Sequence, residues 1–272
     1  MRASNHAALR LQVPVRRAAP VRALMVRTHQ PVAFEHLTVP RALTDHFVRV
    51  PILMYHRVTN QRAPSVSSEE FTITPAQFAA EMDWLQHNGY TPIREEALLR
   101  ALIAGTPLPA HPVLITIDDG YSDGVHAILH TLVTKTRRFP ATFFVITGRI
   151  GWSDFLSWRD LRILERNGMD IGSHTVHHTH LTQVTLTRAN FEVSHSAQTL
   201  ARGLHHPIYW FSYPFGDLNP AITAEVQKAG YLLAYTTQPG TWISTAQHLV
   251  LPRIIVAGNE PLAQFAYSVQ NG

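Results

Sequence analysis

From residue 50 onward, short solid runs of apolar residues alternate with amphipathic stretches that open on a capping residue and close on glycine. The apolar runs are VPILMYH (50–56), VLITI (113–117), ATFFVIT (141–147), MDIGSH (169–174), IYWFSYP (208–214), YLLAYTT (231–237) and PRIIV (252–256). Most lack an apolar–polar alternation, as expected of strands covered on both faces in a parallel sheet. Between them, TPAQFAAEMDWLQHNG (74–89) has Thr74 as N-cap, Pro75 at the first helical position and Gly89 beyond the end. Its Phe78, Met82 and Leu85 make one apolar face. SWRDLRILERNG (157–168) carries Ser157 as cap with Asp160 in the capping-box position, and NPAITAEVQKAG (219–230) repeats the pattern with Asn219, Pro220 and Gly230. A further helix is expected over 122–138. About seven strand–helix units predict one α/β domain with a parallel sheet closing into a barrel.

Composition agrees with a core-forming chain: 45% of the 272 residues are hydrophobic and 15% charged. The absence of cysteine excludes disulfides and thiolate metal sites. Charge is uneven. Eight arginines against Glu35 and Asp45 give residues 1–50 a charge of +6, so the rest of the chain, within a total of +4, carries −2. The body thus offers no basic patch for nucleic acid. Residues 1–47 are expected to be a flexible basic extension, with Met25 as an alternative start, and 48–272 the domain. The extension lacks the apolar stretch of a secretory leader. No run of about 18 apolar residues exists, so no transmembrane segment is expected.

In barrels of this kind the chemistry gathers at the C-terminal ends of the strands. Those ends hold Tyr55 and His56, Asp118 and Asp119, Ser173 and His174, and Pro214 to Gly216. Asp118 and Asp119 stand side by side, an arrangement that a nearby cation makes tolerable. His174 and His178 lie four apart and can share one metal ion. His126 and His130 repeat that spacing inside the 122–138 helix, where solvated or half-buried side chains are expected. Two imidazoles and one carboxylate form a ligand set for a catalytic Zn²⁺ or similar cation, leaving the other carboxylate free as a general base toward a metal-activated water.

TIDDG (116–120) and HTVHH (174–178) resemble the first two motifs of the polysaccharide deacetylases of carbohydrate esterase family 4, the NodB homology domain. FSYPFG (211–216) and LPRI (251–254) are similar to the third and last. The resemblance covers about residues 48–260. It implies a distorted (β/α)7-type, TIM-like barrel and a hydrolase that releases acetate from N-acetylglucosamine units of a polysaccharide or oligosaccharide, whether poly-β-1,6-N-acetylglucosamine, a chitin-like polymer or peptidoglycan glycan. Position by position, it makes Asp118 the base and Asp119, His174 and His178 the ligands of one divalent metal, Zn²⁺ or else Co²⁺, Ni²⁺ or Mn²⁺. The backbone N–H of Phe215 would hold the oxyanion.

Two departures stand out. Ser212 occupies the place where many members have an arginine that orients the base, and Ala257 the place of their acid histidine. However, PILMYHRV (51–58) and the YPFG form resemble the poly-β-1,6-N-acetylglucosamine deacetylase branch, which makes His56 the candidate acid. Tyr55, Pro214, Trp152 and Trp242 are candidate substrate contacts, against core packing as the default for every tryptophan, Trp158 and Trp210 included. His177 and His180 are expected to be solvated loop residues, and Asp217 to cap its own turn. An O-acetyl esterase of xylan type and a catalytically retired sugar-binding member remain as alternatives. The resemblance also implies work outside the cytoplasm, on envelope or exported glycans.

Overall fold

The computed structural model describes residues 45–61, 69–134 and 137–272, so the expected extension lies outside the described residues as far as residue 44. Its last residues join the body: the His46 N–H donates to the Thr245 hydroxyl at 3.1 Å. The strands run in the order β1 (Phe47–Arg49), β2 (Ile52–Tyr55), β3 (Arg57–Val58), β4 (Thr72–Ile73), β5 (Thr91–Pro92), β6 (Pro112–Ile117) and β7 (Thr142–Val145). They continue with β8 (Asp170–Ser173), β9 (Trp210–Ser212), β10 (Leu233–Tyr235), β11 (Trp242–Ser244) and β12 (Ile254–Ile255). The helices are α1 (Pro75–His87), α2 (Glu95–Ala104), α3 (Val125–Leu132), α4 (Trp158–Arg166), α5 (Leu186–Leu204), α6 (Pro220–Lys228) and α7 (Leu262–Asn271).

The main sheet is parallel, in the order β10-β9-β8-β7-β6-β2-β12, with β5 also beside β6. It curls into a half-barrel whose edges are brought together by residues 251–255: Leu251 bridges Tyr235 while Ile254 pairs with Leu53. The solid apolar runs are explained by two cores. Val113, Ile115 and Ile117 of β6 and Phe143 and Val145 of β7 pack outward with the helices. Leu114, Phe144, Trp210, Leu233 and Tyr235 fill the inside. Gly172 makes room there, because a Cβ would lie 2.4 Å from the Phe144 ring.

The capped helices form as their sequences predict. Thr74, Ser157 and Asn219 each accept an N–H of the first turn, and Ser157 with Asp160 makes the reciprocal box. The 122–138 helix is shorter than expected: α3 ends at Leu132, where Val133 bridges Arg138 and the Phe139 N–H returns to the Leu132 carbonyl. His126 and His130 are exposed on it, as expected. Trp158 and Trp210 follow the packing reading, Trp158 covering Gly203 and Trp210 buried.

Candidate active site

Side chains inside the half-barrel recur at every second strand position, and that parity carries two of them out to the rim. Asp118 continues the inward series Leu114 and Thr116 of β6, and His174 follows inward Gly172 of β8. His56, after β2, joins them with Asp119 and His178 around one cavity of about 380 Å³. The backbone there is unusual. Asp119, Thr175, His178 and Phe215 all have positive φ, between 59° and 71°. Left-handed backbone is uncommon for residues with a Cβ, and its clustering on functional loops is a recognised use of strain.

Asp119 Oδ1 lies 3.6 Å from His174 Nε2 and 3.4 Å from His178 Nε2. The three ligand atoms fall within 4.8 Å of one another. Asp119 Oδ1 is buried with no hydrogen-bond partner, a cost that a cation would remove. The His174 Nδ1–H donates to the Ser212 carbonyl at 2.8 Å, which leaves the Nε2 lone pair facing Asp119. Burial, then the neighbouring His174, pushes His178 down to about 4, so it is neutral near pH 7. The donor set therefore fits a divalent metal such as Zn²⁺. Its identity is open to Co²⁺, Ni²⁺ or Mn²⁺ on the same chemistry.

Asp118 is buried beside this triangle. Burial alone would raise its carboxyl, but the Arg253 guanidinium outweighs that and holds it well below the usual carboxylate range. Arg253 donates from Nη1 to Oδ1 at 2.8 Å and from Nη2 to Oδ2 at 2.7 Å, and the Ser212 hydroxyl donates to Oδ2 at 3.0 Å. The guanidinium itself is fully buried between the rings of Phe144 and Tyr235. Arg253, which immediately precedes β12, thus places a guanidinium on Asp118 where position 212 has none. The LPRI motif contains Arg253 without assigning it this task. Its one signal in the sequence is a lone charge inside a run otherwise fit for a core.

The His56 ring lies tilted against that of Phe71, centroids 4.7 Å apart, and its Nδ1 is buried without a partner. Burial lowers its pKa, with Asp119 and Asp118 pulling the other way. Ala257 holds nothing toward the cavity in the place of the missing histidine; its carbonyl accepts from the Gln77 amide. Phe215 is half exposed, its ring 4.4 Å from that of His178. The turn around it is closed by Gly216 N–H to Tyr213 and Asp217 N–H to Pro214.

Several expectations need correction. Tyr55 is fully buried and donates to Glu81 Oε2 at 2.8 Å, because strand parity points it at α1 while Met54 faces the cavity. Pro214 is buried as the start of its turn rather than lining the cavity. Trp152 is exposed and reaches the rim only through Phe155, whose ring stacks on cavity-lining Tyr121. Trp242, also expected as a substrate contact, is exposed on a cleft that adjoins this cavity rather than in the cavity itself, which leaves that expectation standing. His177 and His180 are not merely solvated: the His177 Nδ1–H donates to Glu192 and His180 stacks on Phe215 at 3.7 Å. Asp217 ties two loops, accepting the Thr182 N–H at 3.0 Å and its hydroxyl at 2.5 Å.

A family model described as polysaccharide deacetylase matches residues 105–234. A Bacillus subtilis relative that carries the name polysaccharide deacetylase, YxkH, is 30% identical over 197 residues, covering 72% of this chain and 67% of its own. The chain belongs to the polysaccharide deacetylase family. Among solved structures, the Streptococcus pyogenes deacetylase PplD in complex with acetate superposes on this family member with a TM-score of 0.75 at 26% identity, over 82% of this chain and 98% of that one. IcaB from Ammonifex degensii shares the fold, with a TM-score of 0.71 at 23% identity over 84% and 98% of the two chains. The Escherichia coli K12 poly-beta-1,6-N-acetyl-D-glucosamine N-deacetylase is 24% identical over 80% of this chain, which spans only 38% of that relative's length.

Proposed function

We propose that this deacetylase is metal-dependent and removes N-acetyl groups from N-acetylglucosamine units of a polysaccharide, with poly-β-1,6-N-acetylglucosamine the favoured polymer. One observation carries the reading: a triangle of two histidines and one carboxylate shares a cavity with a second, ionised carboxylate and an unpartnered histidine. The resemblance to named poly-β-1,6-N-acetylglucosamine deacetylases supports the choice of polymer.

Asp119, His174 and His178 would hold the metal, which when bound supplies Lewis-acid polarisation of the acetyl carbonyl and acidifies water. Asp118 stays ionised and is turned toward the cavity by Arg253 and Ser212, so it takes the proton from the attacking water. The Phe215 N–H donates to the oxygen that gains charge as the carbonyl becomes tetrahedral. His56 delivers a proton to the departing amine, and acetate leaves. A sugar-binding role without turnover loses its motive here, since Arg253 and His56 take over for the two residues missing at 212 and 257. Work outside the cytoplasm on such a polymer remains the expectation for this chemistry.

The test is acetate release from β-1,6- and β-1,4-linked N-acetylglucosamine oligomers after chelation and after return of Zn²⁺ or Co²⁺. Release should depend on metal, vanish in Asp118→Asn, and fall about 10²- to 10⁴-fold in His56→Ala with metal content kept. Metal-independent release, or undiminished release from Asp118→Asn, would sink the mechanism.

A further inference from the structure

We propose that the cleft beside Trp242 is a second saccharide site, holding a neutral pyranose unit of the same glycan whose acetylated unit enters the catalytic cavity. This rests on the glycan-deacetylase reading and deepens it. The cleft measures about 560 Å³ and is bordered by Gly216, Leu218, Gln238, Trp242, Gln247 and Val250. That lies within the roughly 300–1,000 Å³ of small-molecule sites.

The cleft adjoins the catalytic cavity through a thin wall. Phe215 and Thr237 line the catalytic side, and their neighbours Gly216, Thr236 and Gln238 the other. Gly216 sits at φ +66°, and a Cβ there would come within 2.2 Å of the Thr237 hydroxyl oxygen. One polymer chain can therefore cross from one compartment to the next with a sugar in each.

Trp242 is 63% exposed, and among the described residues no aromatic ring packs on its indole. Such a large apolar side chain is ordinarily drawn into the core. Its backbone is nonetheless held firmly, paired with Arg49 in the β1–β11 ribbon and followed by fully buried Ile243. A rigidly mounted, open indole face suits the apolar face of a sugar ring, at little cost in lost rotamers.

The polar groups around it are neutral. The Gln247 Oε1 accepts the Ser244 N–H at 3.1 Å, which leaves its amide NH₂ as a donor. Gln238 is fixed through its backbone, the N–H to the Thr236 hydroxyl at 3.1 Å and the carbonyl to the Arg253 N–H at 2.8 Å, so its side-chain amide is left for a ligand. Among the described residues no ionisable side chain borders the cleft, whereas Arg57, Asp118 and Asp119 border the catalytic cavity. Amides beside an aromatic face match sugar hydroxyls and N-acetyl groups rather than phosphate or carboxylate ligands.

The experiment compares a pentasaccharide of N-acetylglucosamine with a small aryl acetate, which reaches only the catalytic cavity. Trp242→Ala should raise KM for the pentasaccharide about 3- to 10-fold, leave aryl acetate turnover unchanged, and be largely rescued by Trp242→Phe. Gln238→Ala, which removes only a side-chain amide, should weaken the pentasaccharide selectively as well. Unchanged pentasaccharide KM in both variants, or equal losses on both substrates in both variants, overturns the site. Calorimetry of β-1,6- and β-1,4-linked pentasaccharides with Asp118→Asn separates the two readings. Binding that needs Trp242, without acetate release by the unaltered enzyme, keeps the second site and removes the deacetylase reading. Binding indifferent to Trp242 removes the site whatever the turnover.

Discussion

Two buried charges meet at the floor of the catalytic cavity, the Asp118 carboxylate and the Arg253 guanidinium. The pair is planar and bidentate, a geometry that lysine cannot reproduce. Arg253→Lys should therefore keep the protein folded while loosening the aim of Asp118, lowering kcat about 10²-fold with little change in KM. Arg253→Met leaves the carboxylate buried without its partner and should cost about 3–5 kcal/mol of stability. Steady-state kinetics on the first variant and urea unfolding on the second check both. A kcat near wild type in Arg253→Lys would show that charge alone suffices. At this scale the cluster of Asp119, His174 and His178 is legible in the sequence, since TIDDG and HTVHH bring their own spacing. Arg253 is not, because its partner lies 135 positions away in the chain and no local pattern joins them.

The loop after β8 depends on a helix far along the chain. Glu192 of α5 is fully buried and takes the N–H groups of Val176 and His177 at 3.0 and 2.8 Å, and Arg188 joins it at 2.6 Å. These contacts hold the left-handed Thr175 and His178 in a backbone that few side chains favour. Both N–H groups go to Oε2, so in Glu192→Gln the amide oxygen can keep them. An NH₂ then faces the Arg188 guanidinium and the His177 ring, and the charge that ties them to the loop is lost. Metal affinity should drop about 10- to 100-fold, measured by competition with a chromogenic chelator. Unaltered affinity would mean that the loop holds itself. The Ser157 and Asn219 caps make α4 and α6 readable from their own few residues. Helix α5 is harder to see, because Glu192 and Ser196 sit on its buried face with Val193 and Leu200 and interrupt the apolar stripe.

Across the whole molecule, the inner core ends in a second buried carboxyl. Glu95 of α2 accepts the Tyr235 hydroxyl, and Tyr235 packs under Arg253. Burial raises Glu95 from 4.5 to about 8, so the folded protein favours its neutral form. The folded state then binds more protons than the unfolded one, and this contribution is full below about 4.5 and lost as pH rises through about 8. Urea midpoints of the wild type should fall across that window, and Glu95→Gln should flatten the fall. A slope unchanged in Glu95→Gln would assign the pH dependence elsewhere, with Glu81, raised to about 7, the next group to replace.

The sequence by itself determined the strand–helix alternation, the caps, the two-sided burial of the sheet and the Asp119, His174 and His178 cluster that could hold a metal ion, because each is written within a few consecutive residues. Only the tertiary structure decided that Arg253 serves Asp118, that Tyr55 turns to Glu81 and away from the cavity, and that Trp242 opens a cleft beside it. Those outcomes follow from strand parity and from how far the sheet curls. Both bring together residues that are remote in the chain, and neither leaves a mark in local periodicity.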